Sequence, residues 1–382
     1  MAMLNCRFFN GYRPCHKNES CSPKCPHMEP LQTNILMVHL GALGAVLRST
    51  CLLRGIRQKY PHSHITWVTQ SPAHHLLQNN PLIDRVCTNS AQNILHLSAF
   101  HYHIGFCIDK SPEAFSIIKN LSPQKLFGFY IPKGYRGIAP ATPAAEELWQ
   151  IGLSNTKKFF ENQKTENQLL YEALELGPYK GQPYEIFLTK EEEALSQKRH
   201  QLWSEGKQKI CIGINTGCSS TIPYKKLSIS SQRKLIQSLL NKWHNIQVIL
   251  LGGKEDEKRN KEIAKNLPVI LSPTNQGLRD GLCSVKACDL VISGDSLGMH
   301  MAIALKKWVV AWFGPTCPQE IDFYHRGVKV QTRKSCAPCW KRHCSQQIKC
   351  NEDIDILEIL QGVSLGLKKI SGSINISSNL SL

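Results

Sequence analysis

The sequence predicts an α/β protein of two parallel-sheet units, and three observations carry that prediction. Short apolar runs closed by glycine recur in two series, one in each half of the chain. Helical patterns separate them at the spacing that a parallel βαβ unit requires. The 382 residues also suit two domains at roughly 100–200 residues each.

The first series begins with Asn34-Ile35-Leu36-Met37-Val38-His39-Leu40, an apolar run that ends in Gly41-Ala42-Leu43-Gly44 and leads into a helical pattern from Val46 to Tyr60. Ile65–Thr69 reads as the next strand and Ala73–Gln78 as a short helix before Pro81. Ile104–Asp109 adds a strand with an acid at its carboxyl end, followed by Pro112 and a helix to Asn120, and Phe127–Phe129 reads as one more strand. Amphipathic stretches cover Glu146–Leu153 and Asn167–Leu176. The second series runs through Lys209–Asn215 (strand), Ser230–Trp243 (helix), Gln247–Leu251 (strand), Glu255–Lys265 (helix), then strands at Val269–Leu271, Asp289–Ile292 and Trp308–Phe313. Expected boundaries are a cysteine-rich extension over 1–33, an N-terminal unit over 34–190, a C-terminal unit over 191–370 and a frayed Ser/Asn-rich tail over 371–382. Two such units predict a ligand cleft outside the carboxyl ends of their strands.

Composition narrows the function. Hydrophobic residues make up 42% and charged residues 20%, enough to build cores and too apolar for a disordered chain. Forty-six Lys+Arg against 29 Asp+Glu leave a formal charge of +17, which favours polyanionic partners: nucleic acid, an anionic membrane surface or phosphorylated substrates. The longest apolar run, Ile35–Leu47, contains His39 and is too short to span a bilayer. The start of the sequence lacks a charged region followed by an apolar one, so a cytoplasmic location is expected.

Three segments carry phosphate-binding chemistry. Leu40-Gly41-Ala42-Leu43-Gly44-Ala45 turns a strand into a helix, aiming backbone N–H groups above the sheet. Asn215-Thr216-Gly217-Cys218 followed by Pro223-Tyr224-Lys225-Lys226 brings amines to a strand-end loop. Gly294-Asp295-Ser296-Leu297-Gly298-Met299-His300 places an acid, a hydroxyl and a glycine where a helix begins. Each alone also fits a bland reading: a packing turn, solvated lysines, or an Asp/Ser helix cap beside a core histidine.

Taken in order, the Leu-Gly-Ala-Leu-Gly turn, Asn215-Thr216-Gly217 with Lys225 eight residues after Gly217, Leu250-Leu251-Gly252-Gly253, Gly294-Asp295-Ser296 with His300, and Trp312-Phe313-Gly314-Pro315-Thr316 resemble glycosyltransferase family 9, the ADP-heptose:lipopolysaccharide heptosyltransferases. The match runs from about 34 to 350. The resemblance implies a GT-B fold of two Rossmann-like domains, an ADP-sugar in the C-terminal half, the acceptor in the N-terminal half, and inverting transfer without a catalytic metal. It further implies that Lys225 pairs with the donor diphosphate, that Thr216, Gly217, Asp295, Ser296 and Gly298 line the same seat, that His300 orients the loop or touches phosphate, and that Asp256 or Glu257 holds the ribose hydroxyls.

One position departs from the pattern. The family reads Leu-Gly-Ala-Leu-Gly-Asp, with the aspartate as the base that deprotonates the acceptor hydroxyl; here the residue after Gly44 is Ala45. A methyl group accepts no proton. Asp109, at the end of a strand in the same unit, is the preferred substitute base, with Glu113 one turn later as second choice. The competing reading is a catalytically silent member that binds a nucleotide sugar or serves as a scaffold.

Sixteen cysteines are many for a reducing compartment, where clustered thiols more often hold metal than form disulfides. Cys6, Cys15, Cys21 and Cys25 form one set and Cys336, Cys339, Cys344 and Cys350 a second; each offers the four thiolates that a zinc ion or an iron–sulfur cluster takes. His16, His27 and His343 are alternative ligands. The second set resembles a cysteine cluster of many family members, the first an extension found in a subset. Four-thiolate sites leave no open coordination position, so their expected role is structural. The expected partners are an ADP-sugar, a lipopolysaccharide core or related lipid-linked acceptor, and the anionic inner face of a membrane by peripheral contact. Nucleic acid is not expected, because neither set has the Cys/His spacing of a finger.

Overall fold

The computed structural model describes residues 2–9 and 11–378. The chain divides into two units, Met1–Phe187 and Leu188–Leu382. In the first, the order is β1 (Thr33–Val38), α1 (Leu43–Ser49), α2 (Leu52–Lys59), β2 (Ser63–Thr69), α3 (His74–Leu77), β3 (Arg85–Thr88), α4 (Ala91–Leu97), β4 (Ile104–Cys107), α5 (Pro112–Leu121), β5 (Lys125–Tyr130), β6 (Ala139–Pro140), α6 (Glu146–Leu153) and α7 (Glu166–Ala173). The sheet runs β3-β2-β1-β4-β5-β6, parallel except for the β5–β6 pair.

β1 is central because Ile35, Leu36, Met37 and Val38 are all fully buried, the continuous apolar run that a strand covered on both faces needs. Leu36 and Val38 pack with Val68 and with Ala114, Ile117 and Ile118 of α5. Ser111 caps α5 by accepting from the Ala114 N–H, and Pro112 opens its first turn. The single helix expected over Val46–Tyr60 is two. Thr50 turns its hydroxyl back onto the Leu47 carbonyl at 2.6 Å and accepts the Glu185 N–H at 2.7 Å, which ends α1 and ties the irregular segment around Glu185 to it.

The second unit contains α8 (Lys190–Trp203), β7 (Ile210–Asn215), α9 (Ile229–Lys242), β8 (Ile246–Leu251), α10 (Glu257–Ala264), β9 (Val269–Leu271), α11 (Leu278–Lys286), β10 (Leu290–Gly294), α12 (Leu297–Ala304), β11 (Trp308–Phe313), β12 (Gly327–Gln331) and α13 (Ile356–Ser378). Its sheet, β12-β11-β10-β7-β8-β9, is parallel throughout. Ile212, Ile214, Val248, Leu250, Ile292 and Val310 form one core with Leu235 and Leu239 of α9 and Ile359 and Val363 of α13. The tail expectation is corrected here: α13 runs through Ser371 to Ser378, and residues 379–382 lie outside the described ones.

Counted from its own first strand, each sheet has the order 3-2-1-4-5-6. That is the Rossmann arrangement, in which successive connections run outward in opposite directions from the first and fourth strands and leave a gap above their carboxyl ends. In the first unit the gap lies between the loops after β1 and β4. In the second it lies between the loops after β7 and β10.

Candidate functional site

The second unit's gap is filled by polar side chains. β7 ends at Asn215, whose Nδ2 donates across the gap to Ser296 Oγ (2.9 Å) and back to the Gly217 carbonyl (2.9 Å). From the β10 side, Asp295 receives the Lys225 ammonium at 2.8 Å, and His300 Nε2 stands 3.9 Å from its other carboxylate oxygen. All three groups are largely withdrawn from water. Burial alone would raise the Asp295 carboxyl; the charges of Lys225 and His300 and hydrogen bonds from Lys225 and Thr316 outweigh it and hold the group below the usual carboxylate range. Asp295 is therefore an anion that fixes a lysine and a histidine.

Lys225 is held along its whole length. Its carbonyl accepts the indole N–H of Trp312 (2.8 Å), and its ammonium lies 5.5 Å from the ring centre of Trp340. Gly294 is glycine because any Cβ there would strike the Lys225 carbonyl. Ser296 stands at the start of α12 but does not cap it; its hydroxyl meets Asn215 and Ser293 (3.2 Å) instead, so the first N–H groups of α12 are not closed by that side chain. The chemistry is a cation, a hydroxyl and a helix dipole around one loop pair, an arrangement that takes anions.

Thr216 and Gly217 lie in the loop after β7. Thr216 is fully buried and its hydroxyl donates to Asn260 of α10, while Gly217 backs directly onto the Asp256 carboxylate, leaving no room for a side chain. Gly298, in the first turn of α12, packs on Asn215 in the same way. Asp256 is buried and accepts the Gly253 N–H (3.1 Å), and burial raises its carboxyl. Glu257 points outward and pairs with Lys261 at 2.7 Å. Of these two sequence-predicted acids, one braces a glycine turn and the other sits in a surface ion pair.

In the first unit a carboxylate bridges the gap. Asp109, just past β4, accepts the Leu40 N–H at 2.5 Å and so pins the loop that carries Gly41, Gly44 and Ala45. Ala45 lies in the first turn of α1. Glu113 is in the first turn of α5 and accepts from Asn89 at 2.5 Å. Behind the turn, Ser49 donates to the Val46 carbonyl (2.9 Å), so the proton shared with His39 (2.8 Å) belongs to His39 Nδ1. Burial lowers the His39 pKa, keeping that imidazole neutral. Arg48 of α1 pairs with Glu166 of α7, a half-buried pair that no local pattern announces because 118 residues separate the partners.

The two cysteine sets differ in setting. The 336–350 loop wraps the lysine loop: Cys339 and Trp340 donate to the Pro315 carbonyl (3.1 and 2.8 Å), Cys344 N–H meets the Tyr224 hydroxyl (3.4 Å), and Asn351 holds the Lys226 carbonyl (2.9 Å). Cys350 is buried against Gly314, and its thiol is pushed up to about 11 by burial and by the thiols of Cys339, Cys344 and Cys336. Cys6, Cys15, Cys21 and Cys25 line a single cavity in the extension. All are free thiols. Neither set has three sulfurs drawn within 4.8 Å of one another; among the described residues the group that meets this spacing is His200, Cys211 and Asp289. That trio is structural. Asp289 accepts the Cys211 N–H (2.8 Å), His200 bonds the Ala287 carbonyl (2.9 Å), and the Cys211 thiol is raised to about 12, chiefly by burial.

The family model described as glycosyltransferase family 9 (heptosyltransferase) matches residues 159–349, half of the chain. Lipooligosaccharide heptosyltransferase 2 of Campylobacter jejuni is 28% identical over 170 residues, covering 43% of this chain and 52% of that protein. The chain thus spans about half the length of the curated relatives it matches. Among solved structures, a glycosyl transferase family 9 protein from Veillonella parvula aligns with a TM-score of 0.68 at 18% identity, over 90% of this chain and 99% of that one. E. coli ADP-heptose LPS heptosyltransferase II aligns with a TM-score of 0.64 at 18% identity, over 88% and 99%. These structural likenesses establish the GT-B class of fold.

Proposed function

The chain belongs to glycosyltransferase family 9, and from that membership we propose that it is an inverting glycosyltransferase moving a heptose-like sugar from an ADP-sugar to a lipopolysaccharide-core acceptor. One observation carries the proposal: Lys225, Asp295, His300 and Ser296 converge at the second unit's gap, where a Rossmann unit binds nucleotides. The Lys225 ammonium and the α12 amides would face the diphosphate. Negative charge grows on that group as the bond to the sugar breaks, so donors already fixed there favour the transition state over the ground state. Asp295 is a positioning residue for the lysine. Thr216, Gly217 and Gly298 shape the pocket wall, and Asp256 and Glu257 mark the side on which the ribose would lie.

The acceptor would be met by the Gly41–Ala45 turn of the first unit. Asp109 is the proposed base. One of its oxygens already holds the Leu40 N–H, and the other is the one that would take the acceptor's proton as its oxygen attacks the anomeric carbon. General-base help of this kind contributes about 10²–10⁴-fold. The +17 charge suits a phosphorylated, lipid-linked acceptor at the inner face of a membrane. No helix among the described residues is long and apolar enough to cross one.

No catalytic metal is assigned to the transfer. Cys336, Cys339, Cys344 and Cys350 fit a structural zinc or iron–sulfur centre in residue type and number, and such a centre would stiffen the loop bracing Tyr224 and Lys226.

Ala45 supports a second reading, a member that binds the donor without turning it over. Single-turnover transfer from ADP-heptose to a heptose-deficient core, with donor titration alongside, separates the two. Transfer by the chain itself is the expected result. Donor binding with transfer only in Ala45→Asp makes it a silent member, and no donor binding in either form removes the transferase reading.

A further inference from the structure

The extension before β1 poses a physical question that the transfer reaction does not answer. Among its described residues not one is buried. A segment of some thirty residues with no core of its own does not hold a unique shape by apolar packing; small modules of that kind are ordered by disulfides or by metal. Yet this one has defined internal geometry. Cys6, Cys15 and Cys25 each open a tight turn, their carbonyls accepting the N–H of Phe9 (3.0 Å), Asn18 (3.4 Å) and Met28 (3.1 Å). The three turns and Cys21 line one cavity of about 20 Å³.

The surroundings of the sulfurs are those of a thiolate site. Asn18 Nδ2 donates to Cys25 Sγ at 3.5 Å, and the His27 N–H also bonds that sulfur. Donors to sulfur orient metal ligands and offset their negative charge.

The module is fastened at the end of the sheet remote from the chemistry. Cys6 and Pro30 form a β-bridge, Leu31 N–H bonds the Asn5 carbonyl (2.7 Å), and Arg7 reaches Asp84 at 2.7 Å. Asp84 immediately precedes β3 and also holds Arg57 (2.6 Å) and the Ile65 N–H (2.7 Å), so the anchor sits at the amino ends of the strands. Gly41 and Asp109 are at the carboxyl ends.

We infer that Cys6, Cys15, Cys21 and Cys25 bind one zinc ion in a closed, structural four-thiolate site that folds the extension onto the amino edge of the N-terminal sheet. Binding releases the remaining thiol protons to solvent and involves no redox step. Four thiolates are the closed tetrahedral set that a structural zinc ion takes, and sugar transfer calls for no redox centre.

The test uses the full chain, purified under reducing conditions from zinc-supplemented medium, and measures zinc and iron per chain in the wild type and in Cys15→Ser/Cys21→Ser. The expected difference is one zinc equivalent, with ADP-sugar binding equal in the two proteins because these cysteines are outside the donor site. The 336–350 loop is intact in both, so its metal cancels. Should the variant fail to accumulate, alkylation of the wild type followed by peptide mass mapping decides: Cys6, Cys15, Cys21 and Cys25 are protected until a chelator is added, then modified. Equal zinc content, iron as the lost equivalent, disulfides among the four, or alkylation without chelator each overturns the assignment. A positive result beside failed sugar transfer would leave this site standing and the transferase reading fallen.

Discussion

The two Rossmann units share a strand order and differ in what fills the gap above it. In the C-terminal unit a lysine, an aspartate, a histidine and a serine meet across the loops after β7 and β10. In the N-terminal unit a single carboxylate crosses, from Asp109 to the Leu40 N–H, and the helix-start position that carries the acid in the family pattern is Ala45. The difference teaches that topology supplies the place and not the chemistry. One gap brings together an ammonium, a hydroxyl and a helix start, and the other is crossed by a carboxylate.

The largest expected effect is on turnover. Asp109→Asn lowers single-turnover transfer by about 10²–10⁴-fold with donor affinity unchanged; intact transfer breaks the assignment of the base to this gap. Lys225→Ala follows, weakening ADP-sugar binding by about 10–100-fold in calorimetry, the size of a lost charge-assisted hydrogen bond of roughly 1.5–3 kcal/mol. Because the variant also strands a buried carboxylate, the melting temperature should fall too. Unchanged affinity would mean that the diphosphate sits elsewhere.

Glycine substitutions sharpen the contrast on stability alone. A Cβ at Gly294 runs into the Lys225 carbonyl, whereas at Gly41 the nearest atom outside its own turn is Gln70 Oε1 at 3.8 Å. Gly294→Ala should cost about 1–3 kcal/mol in denaturant unfolding and Gly41→Ala within about 0.5. Equal costs would show that the two gaps are equally tight.

Acid should separate the units more gently. His39 has a pKa lowered by burial, so the unfolded chain binds its proton first; the stability this gives is full above about pH 6.5 and declines as pH falls below it. Asp295, held below the carboxylate range once its partners outweigh burial, gives stability that is full above about pH 4 and is lost only below that. Hydrogen exchange across pH 7 to 4 should therefore loosen the region around β1 and α1 before that around β10 and α12. His39→Asn removes the first of these slopes, and loosening in the reverse order contradicts the assignment.

Much of the fold was legible because buried parallel strands are written as continuous apolar runs: β7, β8 and β11 stand out for that reason. Edge strand β12 did not, since Gly327-Val328-Lys329-Val330-Gln331 alternates and carries charge. The sequence reading passed over α8 although Thr189 and Glu192 form a reciprocal cap at its start, a signal that was there to use. In the site, Lys225, Asp295, Ser296 and His300 were readable as motif residues. Asn260, Trp340 and Glu166 were not, because each meets its partner over a long separation in sequence that no local pattern encodes.

The Arg7–Asp84 contact has a consequence in time. The two residues are 77 apart in sequence, and a ribosome adding roughly 5–20 residues per second needs about 4–15 seconds to pass from one to the other. For that interval the four leading cysteines are outside the growing chain's fold, with no sheet to dock on. Whatever reaches the thiols first, an ion or an oxidant, decides the form in which the extension meets the rest of the protein.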